Sequence, residues 1–239
     1  MYSPVDSLKS WWHEDLVNNS QVHGWVLNLY RAGEKYPQLV EDYFPWKHAP
    51  WKKLRLRMQQ HEKEESRHER IFARVIEKMG EPLVEFRDEN IFNDVVRKYT
   101  KVSFRILSRD SKQVRQLKLA HFLAHAHCLE KRVLRSLEYH LEACERAGNK
   151  DVAKAIRPIL HDEGEHVVYT REAVSEILST RRVKSVMKLH SEAEARANLK
   201  FSQLQVKKFL RQYAKGVSLP RRSLYRFCSW MMEMAVRHG

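Results

Sequence analysis

The chain of 239 residues is 43% hydrophobic and 31% charged, has a net charge of +14, and contains only seven glycines and seven prolines. This composition excludes a disordered or collagen-like protein, and so few turn-forming residues argue against a sandwich or barrel of many strands, which needs a turn about every 10 residues. A mostly helical protein is therefore predicted.

The positive charge is concentrated towards the C-terminus. Residues 181–239 carry a net charge of +11, whereas residues 1–180 carry a net charge of +3. We therefore expect two domains, a nearly neutral body over residues 1–180 and a basic helical extension over residues 181–239.

Apolar residues recur at steps of three and four along most of the chain, which is typical of amphipathic helices. In the body this pattern predicts four long helices, over residues 6–33, 50–80, 111–148 and 151–179, and a short helix within 92–107. Pro158 predicts a kink or a later start in the fourth helix. Two or three further helices are expected beyond Arg181. Long connections after the first and second helices favour a four-helix bundle.

The cysteines and the apolar segments indicate the cellular compartment of the protein. Cys128, Cys144 and Cys228 are odd in number and lack a C-x-x-C spacing, which argues against a disulfide framework and against a thiolate metal site. The sequence shows no run of about 18 apolar residues and no secretion signal at its N-terminus. We therefore predict no transmembrane segment and a cytoplasmic location.

Ionisable residues interrupt the apolar stripes of three predicted helices at mid-length. The second helix carries Glu65-x-x-His68, the fourth carries Glu163-x-x-His166, and the third carries Glu130. A Glu and a His three residues apart lie on one face of a helix, so both can bind one ion. Two facing helices of this kind could hold two divalent ions, with Glu65 and Glu163 bridging. Such ligands suit iron or manganese and do not exclude zinc.

The register of these residues carries more weight than the motif itself. Composition alone gives about one E-x-x-H match in such a chain. However, both motifs fall on inward stripes, and Glu163 follows Glu130 by 33 residues, enough for half a helix, a short turn and half of the next helix. The alternative is a buried charge network without metal.

Several neighbouring residues are weaker candidates for ligands or for groups that support the ligands. His23 continues the inward stripe of the first helix and is either a ligand or a core histidine, while Asn19 offers a weak ligand or a supporting hydrogen bond. Behind the ligands, His127, Arg132 and Asp162 are expected to orient them, with Arg132 pairing with Asp162.

The chain resembles the ferritin-like di-metal carboxylate superfamily, which includes bacterioferritin and rubrerythrin. Glu130, Glu163 and His166 match the second half of its motif, and Glu65 and His68 match the E-x-x-H of the first half. The segments His127-x-x-Glu130-x-Arg132 and Asp162-Glu163-x-x-His166-Val167 resemble a bacterial ferritin-like family known mainly as a domain of unknown function. The resemblance covers about residues 10–180 and departs on the first helix, where His23 stands in place of the usual Glu.

This resemblance implies an all-α, ferritin-like four-helix bundle that binds two Fe ions, or Mn, and reduces dioxygen to oxidise an organic substrate. An electron donor is then required as a partner, and a homodimer is left open. An arylamine-oxygenating branch of the superfamily has an additional His ligand, so His23 is compatible with oxygen chemistry. The competing interpretation is a non-catalytic protein that buffers metal, responds to stress or keeps a relict site.

The basic extension suggests contact with nucleic acid. It interleaves aromatic rings such as Phe209 and Tyr225 with cationic residues, as a surface that tracks phosphates and stacks bases would. A family of bacterial tRNA hydroxylases is also similar in its paired E-x-x-H bundle, so a modified tRNA is one predicted substrate. A solvated helical face is the alternative. The candidate contacts are Lys207, Lys208, Arg211, Arg221 and Arg222.

Overall fold

In the computed structural model, which describes residues 4–86 and 91–238, all regular structure is helical and the described residues form no strand. This confirms the prediction of an all-helical protein. The eight α-helices of the described residues are α1 Pro4–Val17, α2 Ser20–Leu39, α3 Lys52–Lys78, α4 Ile91–Thr100, α5 Lys112–Arg146, α6 Lys150–Ile177, α7 Thr180–Gln212 and α8 Leu219–His238.

The chain divides into two compact units. Unit 1 comprises Met1–Phe86 and Phe104–Val186, and unit 2 comprises Arg87–Ser103 and Met187–Gly239. The division therefore falls within α7 and assigns the segment around α4 to unit 2, whereas the sequence predicted a single boundary after residue 180.

The first predicted helix is two helices, because Asn19 starts a new one. Asn19 has an extended backbone (φ −136°, ψ 130°), and its side-chain oxygen accepts a hydrogen bond from the Val22 amide at 3.2 Å. A side chain used in this way is an N-cap, which satisfies a backbone donor at the start of a helix. Asn19 thus caps α2 and does not act as the predicted ligand or supporting group. The new helix also passes through Gly33, the predicted end, and continues to Leu39.

The other long helices of unit 1 lie close to their predicted ranges. Gly80 and Gly148 follow α3 and α5 with positive φ angles of 73° and 75°. Glycine adopts this left-handed conformation at little cost, which explains why both helices stop there. Pro158 lies inside α6, which begins at Lys150, so of the two predicted alternatives, a kink or a later start, the later start is excluded.

Apolar packing brings the helices of unit 1 together. Helix α5 packs against α6, α2 against α3, and α3 against α6, while α1 contacts both α2 and α5. Helices α3 and α6 are antiparallel, since Lys78 contacts Asp151 at 2.7 Å and His61 contacts Tyr169 at 2.6 Å. The buried apolar cluster between the helices consists of Val17, Leu27, Phe72, Val75, Ile76, Leu137, Ala143, Cys144, Val152, Ala153, Ile156 and Ile159.

Unit 2 has a small core of its own. The rings of Phe209 and Tyr225 are buried and meet edge to face, with centroids 6.1 Å apart. Arg196 lies over the ring of Tyr99, 4.5 Å from its centroid. Some of the aromatic side chains of α7 and α8 therefore pack inside unit 2.

Within the described parts of the chain, no helix combines the length and the apolar character that crossing a membrane requires.

Replacing Asn19 tests the capping role. Asn19→Ala removes the side-chain acceptor for the Val22 amide, so we expect the free energy of unfolding to fall by about 0.5–2 kcal/mol. Asn19→Ser keeps an acceptor and is the matched control, with stability near that of the wild type. Urea unfolding measures both variants, and equal stability of all three proteins would contradict the capping role.

Candidate metal centre

Seven ionisable side chains converge inside unit 1. They lie on four helices and expose between 0% and 7% of their surface. Five are predicted ligands, and two, Glu34 and His61, were not predicted as ligands. The seven are Glu34 on α2, His61, Glu65 and His68 on α3, Glu130 on α5, and Glu163 and His166 on α6.

The first set of four donors is His61, Glu65, Glu130 and His166, which offer one atom each within 4.8 Å of one another. His61 Nε2 lies 3.0 Å from a Glu65 oxygen and 3.5 Å from a Glu130 oxygen. The rings of His61 and His166 are stacked, with centroids 3.5 Å apart. Two imidazoles and two carboxylates thus face one point.

The second set is Glu34, Glu65, His68 and Glu163, again within 4.8 Å of one another. His68 Nδ1 lies 3.3 Å from both a Glu34 oxygen and a Glu163 oxygen. Glu65 belongs to both sets. The second oxygen of Glu163 lies 3.2 Å from His166 Nδ1, so Glu163 also faces both sets.

Two further carboxylates hold the outer nitrogens of the motif histidines. Asp162 contacts His68 Nε2 at 3.0 Å, and Glu64 contacts His166 Nε2 at 2.9 Å. Each acid directly precedes the Glu of one motif and holds the His of the other. This arrangement fixes the ring orientation and leaves Nδ1 of each histidine facing the carboxylates inside, as metal-ligating histidines require.

Burial and mutual repulsion shift the pKa values of the acids in this group. Burial and the neighbouring Glu34 carboxylate raise the pKa of Glu65 to about 7. Burial likewise raises the pKa values of Glu34 and Glu163. For His68, burial opposes the charged form, but the Glu163 and Glu34 carboxylates outweigh it and raise the pKa to about 11. Without metal the group therefore retains protons, which cations would displace.

The donor set fits divalent ions. The Oε1 atom of Glu163 is buried and lies 3.3 Å from His68 Nδ1, but no described donor is aligned to give it a hydrogen bond. An unsatisfied carboxylate oxygen in the core is costly, whereas a cation beside it removes the cost. Four carboxylates would also balance the formal charge of two dications.

His23 lies outside this group and belongs to a separate one with His140 and Cys144. It precedes Glu34 by 11 residues on α2, about 16 Å along the helix axis. The structure therefore does not place His23 with the other five predicted ligands, and Glu34 takes the position on α2. Burial lowers the pKa of His23 to about 4.

A spacing in the sequence points to Glu34. Glu163 follows Glu130 by 33 residues, and Glu65 follows Glu34 by 31 residues, so the two halves repeat one pattern. The repeat is easily missed in the sequence, because Gly33 predicts that the helix ends before Glu34. His61 lies one turn before Glu65 on the same face, but periodicity does not show that its ring reaches the ligand level.

The predicted supporting residues have different surroundings. Asp162 contacts His68, as described, and also pairs with Arg67. His127 Nδ1 lies 3.0 Å from the backbone oxygen of Val167. Burial raises the pKa of Tyr30, and the positive charge of Arg132 partly opposes this rise. Among these residues, Asp162 contacts a proposed ligand directly.

The predicted nucleic-acid contacts lie in unit 2, where several of them have partners within the protein. Lys207 pairs with Glu233 at 2.8 Å, and Arg222 donates to backbone oxygens, including that of Val217 at 2.7 Å. Arg211 is exposed and lines a surface cavity with Arg226 and Trp230. The remaining two, Lys208 and Arg221, are half-buried.

Comparison of the chain with protein-family models, with curated proteins and with solved structures gave no match. The interpretation of this centre therefore depends on its own geometry, which is that of two overlapping sets of buried carboxylate and imidazole donors.

Proposed function

We propose that α2, α3, α5 and α6 form a ferritin-like four-helix bundle that binds two iron ions, or manganese and iron, and oxidises an organic substrate with dioxygen. The single observation that carries the proposal is the pair of buried four-donor sets that share Glu65. Ferritin-like di-metal proteins contribute one Glu from each of two helices and an E-x-x-H motif from each of the other two. Glu34, Glu130 and the two motifs supply this combination.

The shared carboxylate favours two ions over one. Glu65 can contribute to both sets, and Glu163 has one oxygen beside His68 and the other beside His166. Two bridging carboxylates would hold two cations a short distance apart, where a single ion would leave half of the donors unused. Four acidic groups buried together are tolerable when two dications compensate them.

The protein side chains would orient and shield the centre. Asp162 and Glu64 fix the two motif histidines, and the Tyr169 hydroxyl, 2.6 Å from His61 Nδ1, fixes the third imidazole. The low exposure of all seven donors keeps bulk water away. When bound, two iron ions supply the electron transfer to dioxygen that protein side chains cannot perform.

The overall reaction defines the partners. Hydroxylation places one oxygen atom in a carbon–hydrogen bond of the substrate and reduces the other atom to water. This balance needs two electrons and two protons, so an external electron donor is part of the proposal. Metal storage, the competing function, needs neither an organic substrate nor a continuing supply of electrons.

Removing one central carboxylate tests the metal centre. We expect about two iron ions per chain for the wild-type protein after anaerobic loading and desalting, and a loss of most of this iron in Glu163→Ala, because Glu163 faces both donor sets. Mass spectrometry of the metal content measures the difference. Glu165→Ala, an exposed change two residues away on α6, is the matched control and should keep the iron. Equal iron content in both variants would contradict the assignment.

Dioxygen consumption separates catalysis from storage. With Fe(II)-loaded protein, excess dioxygen and a chemical reductant that supplies all the electrons in the absence of an organic substrate, we expect repeated uncoupled reduction of dioxygen that Glu163→Ala abolishes and Glu165→Ala retains. An oxygen electrode records the rate. If the protein instead consumes dioxygen only in proportion to added Fe(II) and accumulates many irons per chain, storage is the function and the oxidase proposal fails.

We also propose that unit 2 contacts RNA through the cavity on α7 and α8. Phe209 and Tyr225, two rings expected to stack on bases, are buried in its core. Trp230, however, is 55% exposed beside Arg211 and Arg226. Exposed indole and guanidinium groups are suited to stacking on bases and pairing with phosphates.

Salt dependence tests this contact. Arg211→Ala with Arg226→Ala should weaken binding of a short single-stranded RNA and reduce the slope of log affinity against log salt by about 1.4, the value for two phosphate contacts. Fluorescence anisotropy measures the affinity. Lys150→Ala with Lys154→Ala removes the same charge from exposed positions of α6 and is the control. Equal losses in both double variants would show non-specific attraction only.

A further inference from the structure

A second group of metal-type donors lies in unit 1, apart from the carboxylate centre. It consists of His23 on α2 and His140 and Cys144 on α5, all three buried with at most 1% of their surface exposed. No carboxylate belongs to this group, in contrast to the two sets described above. Its role is therefore separate from that of the proposed iron centre.

The distances between the donors match a tetrahedral zinc site. His23 Nε2 lies 3.1 Å from His140 Nε2 and 3.7 Å from Cys144 Sγ. Zinc–nitrogen bonds of about 2.05 Å and a zinc–sulfur bond of about 2.3 Å at tetrahedral angles place two nitrogens about 3.3 Å apart and a nitrogen and sulfur about 3.6 Å apart. The two pairs that include His23 are thus already at ligand spacing, and His140 and Cys144 offer donor atoms within 4.8 Å of each other.

A third histidine supports the ring of His140 from behind. His13 Nδ1 on α1 lies 3.2 Å from His140 Nδ1, the nitrogen that does not face His23. A hydrogen bond at one ring nitrogen fixes the tautomer and the orientation of the other, as in most histidine metal ligands. His140 Nε2 is therefore presented towards His23 and Cys144.

We infer that His23, His140 and Cys144 form a binding site for a borderline-soft divalent ion of the Zn²⁺ class, although the spacing of the cysteines in the sequence argued against a thiolate site. Two imidazoles and a thiolate favour such an ion, while the carboxylate-rich centre favours iron or manganese. Cys144 gives its thiol proton to bulk water when the ion binds, and a non-protein ligand completes the fourth position. A bound ion would link α2 to α5 at His23, 11 residues before Glu34 on α2.

Cobalt is a suitable probe, because a cobalt–thiolate bond gives a near-ultraviolet charge-transfer band that carboxylate and imidazole ligands cannot give. Metal-free, reduced full-length protein is titrated with Co²⁺ and then with Zn²⁺. We expect the band to reach the intensity of one cobalt–thiolate bond per chain and to disappear when excess Zn²⁺ displaces the cobalt. A wild-type protein without this band would overturn the inference.

Variants identify the thiol and separate this site from the iron centre. Cys144→Ala should abolish the band, whereas Cys128→Ala with Cys228→Ala should retain it, and so should Glu163→Ala, which tests the proposed function independently. A band that survives in Cys144→Ala, or that is lost with the other two cysteines, contradicts the site. If Cys144→Ala does not fold, X-ray absorption of the zinc-loaded wild type decides: one sulfur at about 2.3 Å with two imidazoles supports the site, and the absence of sulfur overturns it.

Discussion

The burial of four carboxylates at one level of a helical core is the constraint on which the rest of unit 1 depends. Two like charges about 4 Å apart repel by about 4 kcal/mol at the effective dielectric constant of a protein, and desolvation adds to this cost. The structure compensates with three imidazoles, two of which are held in place by the outer carboxylates of Asp162 and Glu64, and with a raised pKa at Glu65. Cations at the same place would remove the repulsion at its source, because each carboxylate could then keep its charge.

The centre is built from two similar halves. Each half offers a Glu, an E-x-x-H motif about 30 residues later, and an acid directly before that motif. The acids cross over, since Asp162 holds His68 and Glu64 holds His166. Neither half can orient its own histidine alone, so the packing of α3 against α6 is part of the chemistry of the centre.

His61 breaks the equivalence of the two halves. It gives one set two nitrogens and two carboxylates, whereas the other set has one nitrogen and three carboxylates. More nitrogen and less negative charge make the first position less stabilising for a highly charged ion. Two ions bound here would therefore differ in redox behaviour. The His23 group, with a thiol and no carboxylate, adds a third donor environment on α2 and α5.

The sequence by itself determined the helical class, the ranges of α3, α5 and α6, and the faces on which Glu65, His68, Glu130, Glu163 and His166 lie. These follow from local physics, since residues three or four apart share a helix face and glycine after the last turn stops the helix. The tertiary structure decided the residues on α2. Asn19 starts that helix afresh, and packing against α3 carries it through Gly33, so that Glu34 reaches the centre and His23 meets His140 and Cys144 instead. Spacing along one helix fixes which face a side chain occupies, but the depth at which it meets a neighbour is set by how the two helices slide against each other.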